Sequence, residues 1–226
     1  IIPAKVAGVD RVAACSPPSR KYGTIHPAVL VAMDIAGLDE AYCMGGAQAI
    51  AAFTYGTESV PKMDIIIGPG NKYVTEAKRQ VSGTVGIDML AGPSEVLIIA
   101  DETAPAQWVA VDLLAKCEHD PNSISILVTT SRKLAEEVEK WVEEELKTLG
   151  TAELARKVWE ENCKIIFADD MDEAIKISDE FAPEHLQIMT ANEDEVAAKV
   201  RNFGSLFVGY HAPVAFGDYL SGTNHT

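Results

Sequence analysis

Four short strings in the chain gather residue types that can do chemistry. In FAPEHLQI, Pro183, Glu184 and His185 set a carboxylate beside an imidazole at the start of an apolar run. Such a pair has pKa values near the range where protons move at neutral pH, which suits general acid/base work. The plainer reading makes Glu184 a helix-end carboxylate and His185 a hydrogen-bonded edge residue. Cys117-Glu118-His119-Asp120 ends a long helical stretch, where a histidine more often serves the helix dipole or packing than acts as ligand or catalyst. FGDYLSGTNH carries Asp218 and His225 in a Gly-rich turn region with Ser221, Gly222 and Asn224. Carboxylate and imidazole suit zinc or a similar divalent ion, although loops of this composition are most often only turns. The fourth string, IIIGPGNKYVTEAKRQ, runs from an apolar strand through Gly68-Pro69-Gly70-Asn71 into a helix. Glycines there let backbone approach a ligand, and the helix N-terminus offers N–H groups to an anion such as a pyrophosphate. The string is neither a GxGxxG fingerprint nor a P-loop, and a tight structural turn explains it equally well.

These strings have to be positioned by elements that alternate along the chain. Strands are predicted at 11–15, 41–44, 63–68, 95–101, 123–130, 164–168, 185–190 and 205–208. Helices are predicted at 27–36, 47–55, 72–81, 104–118, 132–149, 151–162, 171–181 and 193–202. This alternation is the pattern of parallel sheets with crossover helices, so the fold class is α/β. Near-continuous apolar strands such as DIIIG and EVLIIAD predict burial on both faces, as in a doubly wound sheet. The Gly- and Pro-rich stretch 81–93 breaks the alternation and places a domain junction there, giving units 1–92 and 93–226. The strings GPGN, AGPSE, EH, PEH and GDY all fall at strand ends or loops, where α/β folds place ligands. The Glu-rich stretch 133–147 reads as a solvated helix face.

Composition excludes several functions. The chain has 226 residues, 47% hydrophobic and 23% charged, with a formal net charge of −15, so it has ample core material and no basic footprint for nucleic acid. Its apolar runs fall far short of the roughly 20 residues that span a bilayer, so no membrane segment is expected. The first residues show no secretory signal, and four cysteines without CxxC spacing predict reduced thiols in a cytoplasm. Both ends read as abrupt: there is no initiating methionine, and SGTNHT closes on no element. A piece of a longer protein is the expectation.

Taken together and in order, IIPAKVAGV, CSPP, GGAQAIAAFTYGTESVPK, GPGNKYVTEAKRQVSG, IDMLAGPSEVLIIAD, AKCEHD, FAPEHLQ and GDYLSGTNH closely resemble the histidinol dehydrogenase family over practically the whole chain. The resemblance implies two related, incomplete Rossmann-like units in an intertwined homodimer, longer on both sides than this chain. It implies a zinc-assisted oxidation of L-histidinol to L-histidine by two successive NAD-dependent steps through bound histidinal. It further implies that Gln48 and Asn71 contact the dinucleotide, and that Glu184 and His185 are the catalytic acid/base pair. Ser94, His119, His185, Asp218 and His225 are implied as substrate contacts, with His119 and Asp218 as zinc ligands. His185 would take the alcohol proton as hydride leaves, and Glu184 would activate water for the second oxidation. Three departures stand against the family pattern. Lys116 occupies the position, three residues before His119, where the family usually supplies a glutamine oxygen to zinc, and an ammonium has no lone pair to give. The family's remaining histidine ligand, with its adjoining glutamate, comes from a C-terminal segment that this chain lacks, and the Gly-rich cofactor-holding segment before Ile1 is missing too. Alternative readings are a paralogue oxidising another amino or sulfonated alcohol, a degenerate NAD-binding module without turnover, and a metal hydrolase using His119, Asp218 and Glu184.

Overall fold

Strand-forming and helix-forming runs alternate along the chain, and the computed structural model resolves them into two units, Ile1–Gly92 and Pro93–His225. It describes residues 1–90, 92 and 94–222, the side chain of Asp218 excepted. His225 lies outside the described residues. Among them, no helix is long and apolar enough to cross a membrane.

The first unit holds α1 (Ile2–Val6), β1 (Ala14–Ser16), α2 (Pro27–Ile35), β2 (Ala41–Cys43), α3 (Gly46–Tyr55), β3 (Ile65–Ile66), α4 (Lys72–Val81) and β4 (Gly86–Ile87). Its strands are short and pair in parallel twos, β1 with β2 and β3 with β4. A small core of Ile50, Phe53, Val60, Ile66, Val81 and Val85 lies beneath them. The expectation that DIIIG is buried on both faces fails. Ile66 is buried at 8% exposure, but Ile65 and Ile67 are 53% and 57% exposed. The physical reason is that β3 has one neighbour among the described residues, and only its Ile66 face packs on the small core, so alternate residues point away from it.

The second unit holds β5 (Glu95–Ala100), α5 (Ala106–Cys117), β6 (Ile124–Thr129), α6 (Arg132–Glu145), α7 (Ala152–Asn162), β7 (Cys163–Phe167), α8 (Met171–Phe181), β8 (His185–Met189), α9 (Glu193–Lys199), β9 (Ser205–Val208) and α10 (Val214–Tyr219). All five strands are parallel, in the order β7-β6-β5-β8-β9. Here the two-faced burial read from EVLIIAD is met. Val96, Ile98, Ala100 and Met189 pack with α5, α6 and α7. Leu97, Ile99, Leu186 and Ile188 point the other way and pack with α8 and α9. The fold is thus α/β, with parallel sheets flanked by helices.

One polar pair interrupts the α5-facing side. Gln187 is fully buried in β8; its Nε2 donates to Asp112 Oδ2 on α5 at 2.8 Å, while its Oε1 has no partner. Burial pushes the Asp112 carboxyl up from its ordinary value, with the Gln187 amide opposing. A raised carboxyl favours folding below its unfolded pKa and loses that contribution as pH rises through the folded value. Asp112→Asn would keep the acceptor and add a donor for the orphaned Oε1. It is expected to stabilise the fold by about 1 kcal/mol, or roughly 2–4 °C in Tm, with the gain larger at alkaline than at acid pH. Thermal melts of both proteins across that range check it.

Two local features depart from the sequence reading. Asp218, expected in a Gly-rich turn, falls on α10, because Pro213 starts a short apolar helix there and Gly217 lets it approach the Phe207 ring, which an added Cβ would meet at 3.0 Å. Cys117 and Cys163, far apart in sequence and both free thiols, bring their Sγ atoms to 3.4 Å.

Candidate active site

The parallel register of β5 and β8 builds the site. Val96 stands opposite His185, so the residues entering the two strands, Ser94-Glu95 and Glu184-His185, lie side by side at the amino edge of the sheet. The helix α5 leaves β5 at the other edge and runs back, as a right-handed crossover must, and so returns Lys116 near its C-terminus to the same place. This corrects the expectation drawn from strand ends in general. Open α/β sheets place ligands outside the carboxyl ends of their strands, whereas this cluster occupies the amino ends.

The hydrogen bonds are directional. Lys116 Nζ donates to Ser94 Oγ at 2.8 Å, and Ser94 Oγ donates to Glu184 Oε2 at 2.9 Å. The Glu95 N–H donates to the same Oε2 at 3.0 Å. His185 Nδ1 lies 2.9 Å from the Glu95 carbonyl oxygen and 3.2 Å from Glu184 Oε2. Both neighbours of Nδ1 are acceptors, so Nδ1 carries the proton and the neutral ring's lone pair is on Nε2. His185 is 8% exposed, and its ring tilts against Phe207 at 6.0 Å between centroids. Burial raises the Glu184 carboxyl, but bonds from His185, the Glu95 N–H and Ser94 outweigh it and hold it at about 2. Glu184 is therefore ionised at neutral pH. A lowered carboxyl favours folding above its unfolded pKa, and that contribution disappears as pH falls through about 2.

Two backbone features fix Glu184. Ala182 ends α8 in the left-handed conformation, φ +53°, a strained setting for a non-glycine residue that turns the chain into Pro183-Glu184. Gly204 closes the other side: its N–H donates to Pro183 O, the next N–H donates to Glu184 O, and a Cβ on Gly204 would stand 2.6 Å from Glu184 O. No signal in the sequence marked Gly204. Gly204→Ala is expected to destabilise the protein by about 1–3 kcal/mol, since backbone and not a flexible side chain must yield. A lowered midpoint in urea at unchanged slope checks this; an unchanged midpoint would refute the close approach.

In the first unit, the GPGN turn is built from local packing. Asn71 Oδ1 accepts from the N–H groups of Tyr73 and Val74 at 3.0 and 3.2 Å, and so caps α4 with the donors that an anion would have taken. A Cβ on Gly70 would meet the Val74 side chain at 2.5 Å. Beneath the turn, Lys78 Nζ donates to Gly68 O and to Asp88 Oδ1, the latter at 2.5 Å, and Gly68 N–H donates to Asp88 Oδ2 at 2.8 Å. Gln48 lies exposed in the first turn of α3, whose N-terminus has no side-chain cap. The exposed amides of Gln48 and Asn71 have the donor and acceptor chemistry that a dinucleotide's hydroxyls and phosphates accept.

Zinc fits less well. His119 is exposed just beyond α5, with its N–H on Lys116 O at 3.2 Å. Its neighbour one turn earlier in the expected ligand set is the ammonium of Lys116. The side chain of Asp218 and the whole of His225 lie outside the described residues. Among the described residues no three His, Cys, Asp or Glu side chains form a group that could hold a metal ion. As an ammonium, Lys116 offers a metal ion no lone pair, so in that form it does not complete a ligand pair with His119.

A family model described as Histidinol dehydrogenase matches residues 1–226. The histidinol dehydrogenase of Methanosarcina mazei is 52% identical over 225 residues, covering 100% of this chain and 52% of that protein. That of Methanocaldococcus jannaschii is 52% identical over 224 residues, covering 99% and 52%. The crystal structure of histidinol dehydrogenase from Elizabethkingia anophelis superposes with a TM-score of 0.94 at 42% identity, over 100% of this chain and 52% of that one. The chain spans about half the length of these relatives. With the match running from its first residue to its last in both sequence and structure, the chain belongs to the histidinol dehydrogenase family.

Proposed function

We propose that this chain carries the acid/base pair of an enzyme that oxidises L-histidinol to L-histidine through bound histidinal, the closing steps of histidine biosynthesis, with NAD⁺ as oxidant. The observation that carries the reading is the locked imidazole: Nδ1–H faces Glu95 O and Glu184 Oε2, which turns the basic Nε2 away from them. In the first step Nε2 takes the hydroxyl proton as the C–H hydride departs, and the ionised Glu184 stabilises the imidazolium that results. Water then adds to the aldehyde. Glu184 Oε2 already collects three donors, so the water-activating role falls to Oε1. The imidazolium releases its first proton to solvent and a second NAD⁺ replaces the reduced one, after which Nε2 again accepts a proton as the second hydride leaves the gem-diol. Gln48 and Asn71 are the residues proposed to hold NAD⁺, which when bound supplies the hydride acceptor. Ser94, His119, Asp218 and His225 are proposed as substrate contacts, and no step is routed through a metal. Retaining the aldehyde between steps keeps a reactive intermediate from solvent.

The family's homodimer and a cytoplasmic location belong to the same proposal; exposed Leu30, Val31 and Ile35 on α2 support a protein partner. A second reading, oxidation of an alcohol bearing an anionic group such as a sulfonate, is favoured by one observation, the Lys116 ammonium beside Ser94. The test is to mix the whole protein with NAD⁺ and either alcohol, following absorbance of the reduced cofactor. Two reduced cofactors per histidinol support the first reading. No reduction with histidinol overturns it, and reduction with only the anionic alcohol selects the second.

A further inference from the structure

We propose that Lys116 gives this site a cation of its own where a metal ligand would stand, so that the whole protein binds zinc at least about tenfold more weakly than its Lys116→Gln variant. The inference deepens the dehydrogenase reading above and rests on it for the location of the site. Lys116 lies in the last turn of α5, and His119 follows three residues later, just beyond the helix. One of the two is a lysine. It is 8% exposed, and a buried ammonium is costly unless it is bonded to something that answers its charge. Here Nζ donates to Ser94 Oγ at 2.8 Å, and that hydroxyl donates to Glu184 Oε2 at 2.9 Å. Cation and carboxylate are joined through one hydroxyl, so the lysine is part of the polar cluster and already holds it together.

A divalent ion seated against His119 meets two penalties. It is repelled by a positive charge one turn away, and it gains a nitrogen donor from Lys116 only if the amine first gives up its proton. Glutamine in the same place offers a neutral carbonyl oxygen and carries neither penalty.

The test titrates the metal-stripped whole protein with Zn²⁺ alone, against a competing chromophoric chelator. The parent is compared with Lys116→Gln and with Lys116→Glu, which also replaces the ammonium by an oxygen donor. Thermal melts identify which variants keep the parental fold, and either one suffices. A gain in zinc affinity of about tenfold or more in a folded variant is the expected result. A smaller gain, or none, overturns the proposal. Turnover is read separately. Histidinol oxidation by a parent whose zinc affinity matches the variants' sinks the metal inference and leaves the dehydrogenase reading intact; a tenfold gain in affinity without any turnover does the reverse.

Discussion

Replacing His185 by asparagine is expected to lower histidinol oxidation by the whole protein about 10²- to 10⁴-fold, the usual cost of losing a positioned general base. Asparagine is the informative choice. Its Nδ2 can replace Nδ1–H as donor to Glu95 O and Glu184 Oε2, the two acceptors that His185 faces, while nothing replaces the Nε2 lone pair. The fall should therefore lie in kcat, with KM for histidinol and for NAD⁺ moving little, and thermal melting should match the parent. Steady-state rates from cofactor absorbance, with single-turnover traces, check it. Turnover within a few-fold of the parent would show that another group takes the proton, and the role given to the imidazole would be wrong.

The largest structural effect is expected at Lys78. Its side chain and that of Asp88 are 5% and 10% exposed, with Nζ and Oδ1 2.5 Å apart. Burial raises the Asp88 carboxyl, but bonds from Lys78 and from the Gly68 and Met89 N–H groups lower it further, and the net direction is down. Lys78→Met leaves that carboxylate buried without its counter-charge, and removing one partner of a buried pair costs about 3–5 kcal/mol. Because the parental Asp88 is lowered, its contribution is present above the unfolded pKa and lost as pH falls. In the variant the Lys78 contributions that lower the carboxyl are gone while its burial remains, so the variant gains less stability as pH rises. The gap between the two proteins should be widest near neutral pH and shrink in acid. Urea denaturation at several pH values checks both the size and the slope. A loss under about 1 kcal/mol would mean that the pair is solvated enough to be replaceable.

Much of the second unit was legible because its elements are long and strongly patterned. The apolar run EVLIIA and the amphipathic stretches around it gave strands and helices within a few residues of those observed, with α8 at Met171–Phe181 as expected. The first unit was read less well. DIIIG has the composition of a central strand, but nothing local states that β3 will have a single neighbour and one covered face. In the site, the adjacency of Glu184 and His185 was visible as a string. Their meeting with Ser94 was not, since it depends on the register of β5 against β8, which pairs residues some 90 positions apart. Gly204 and Lys78 were silent for the same reason: a glycine beside a distant carbonyl, and a lysine beneath a distant turn, have no periodicity to betray them. The GPGN string offered two readings of one geometry; the structure adds the Asn71 cap and the close approach to Val74, which the spacing of the string does not state.

The placement of the polar cluster at the amino edge has a practical corollary. Strands of five or six residues separate the two rims of the sheet by about 17–20 Å. The connections after β5, β6 and β8 open on the opposite rim, remote from the reacting groups. Peptide epitopes or fluorophore tags grafted there should leave the contacts among Ser94, Glu184 and His185 untouched, which makes that rim a natural handle for reporting on the second unit.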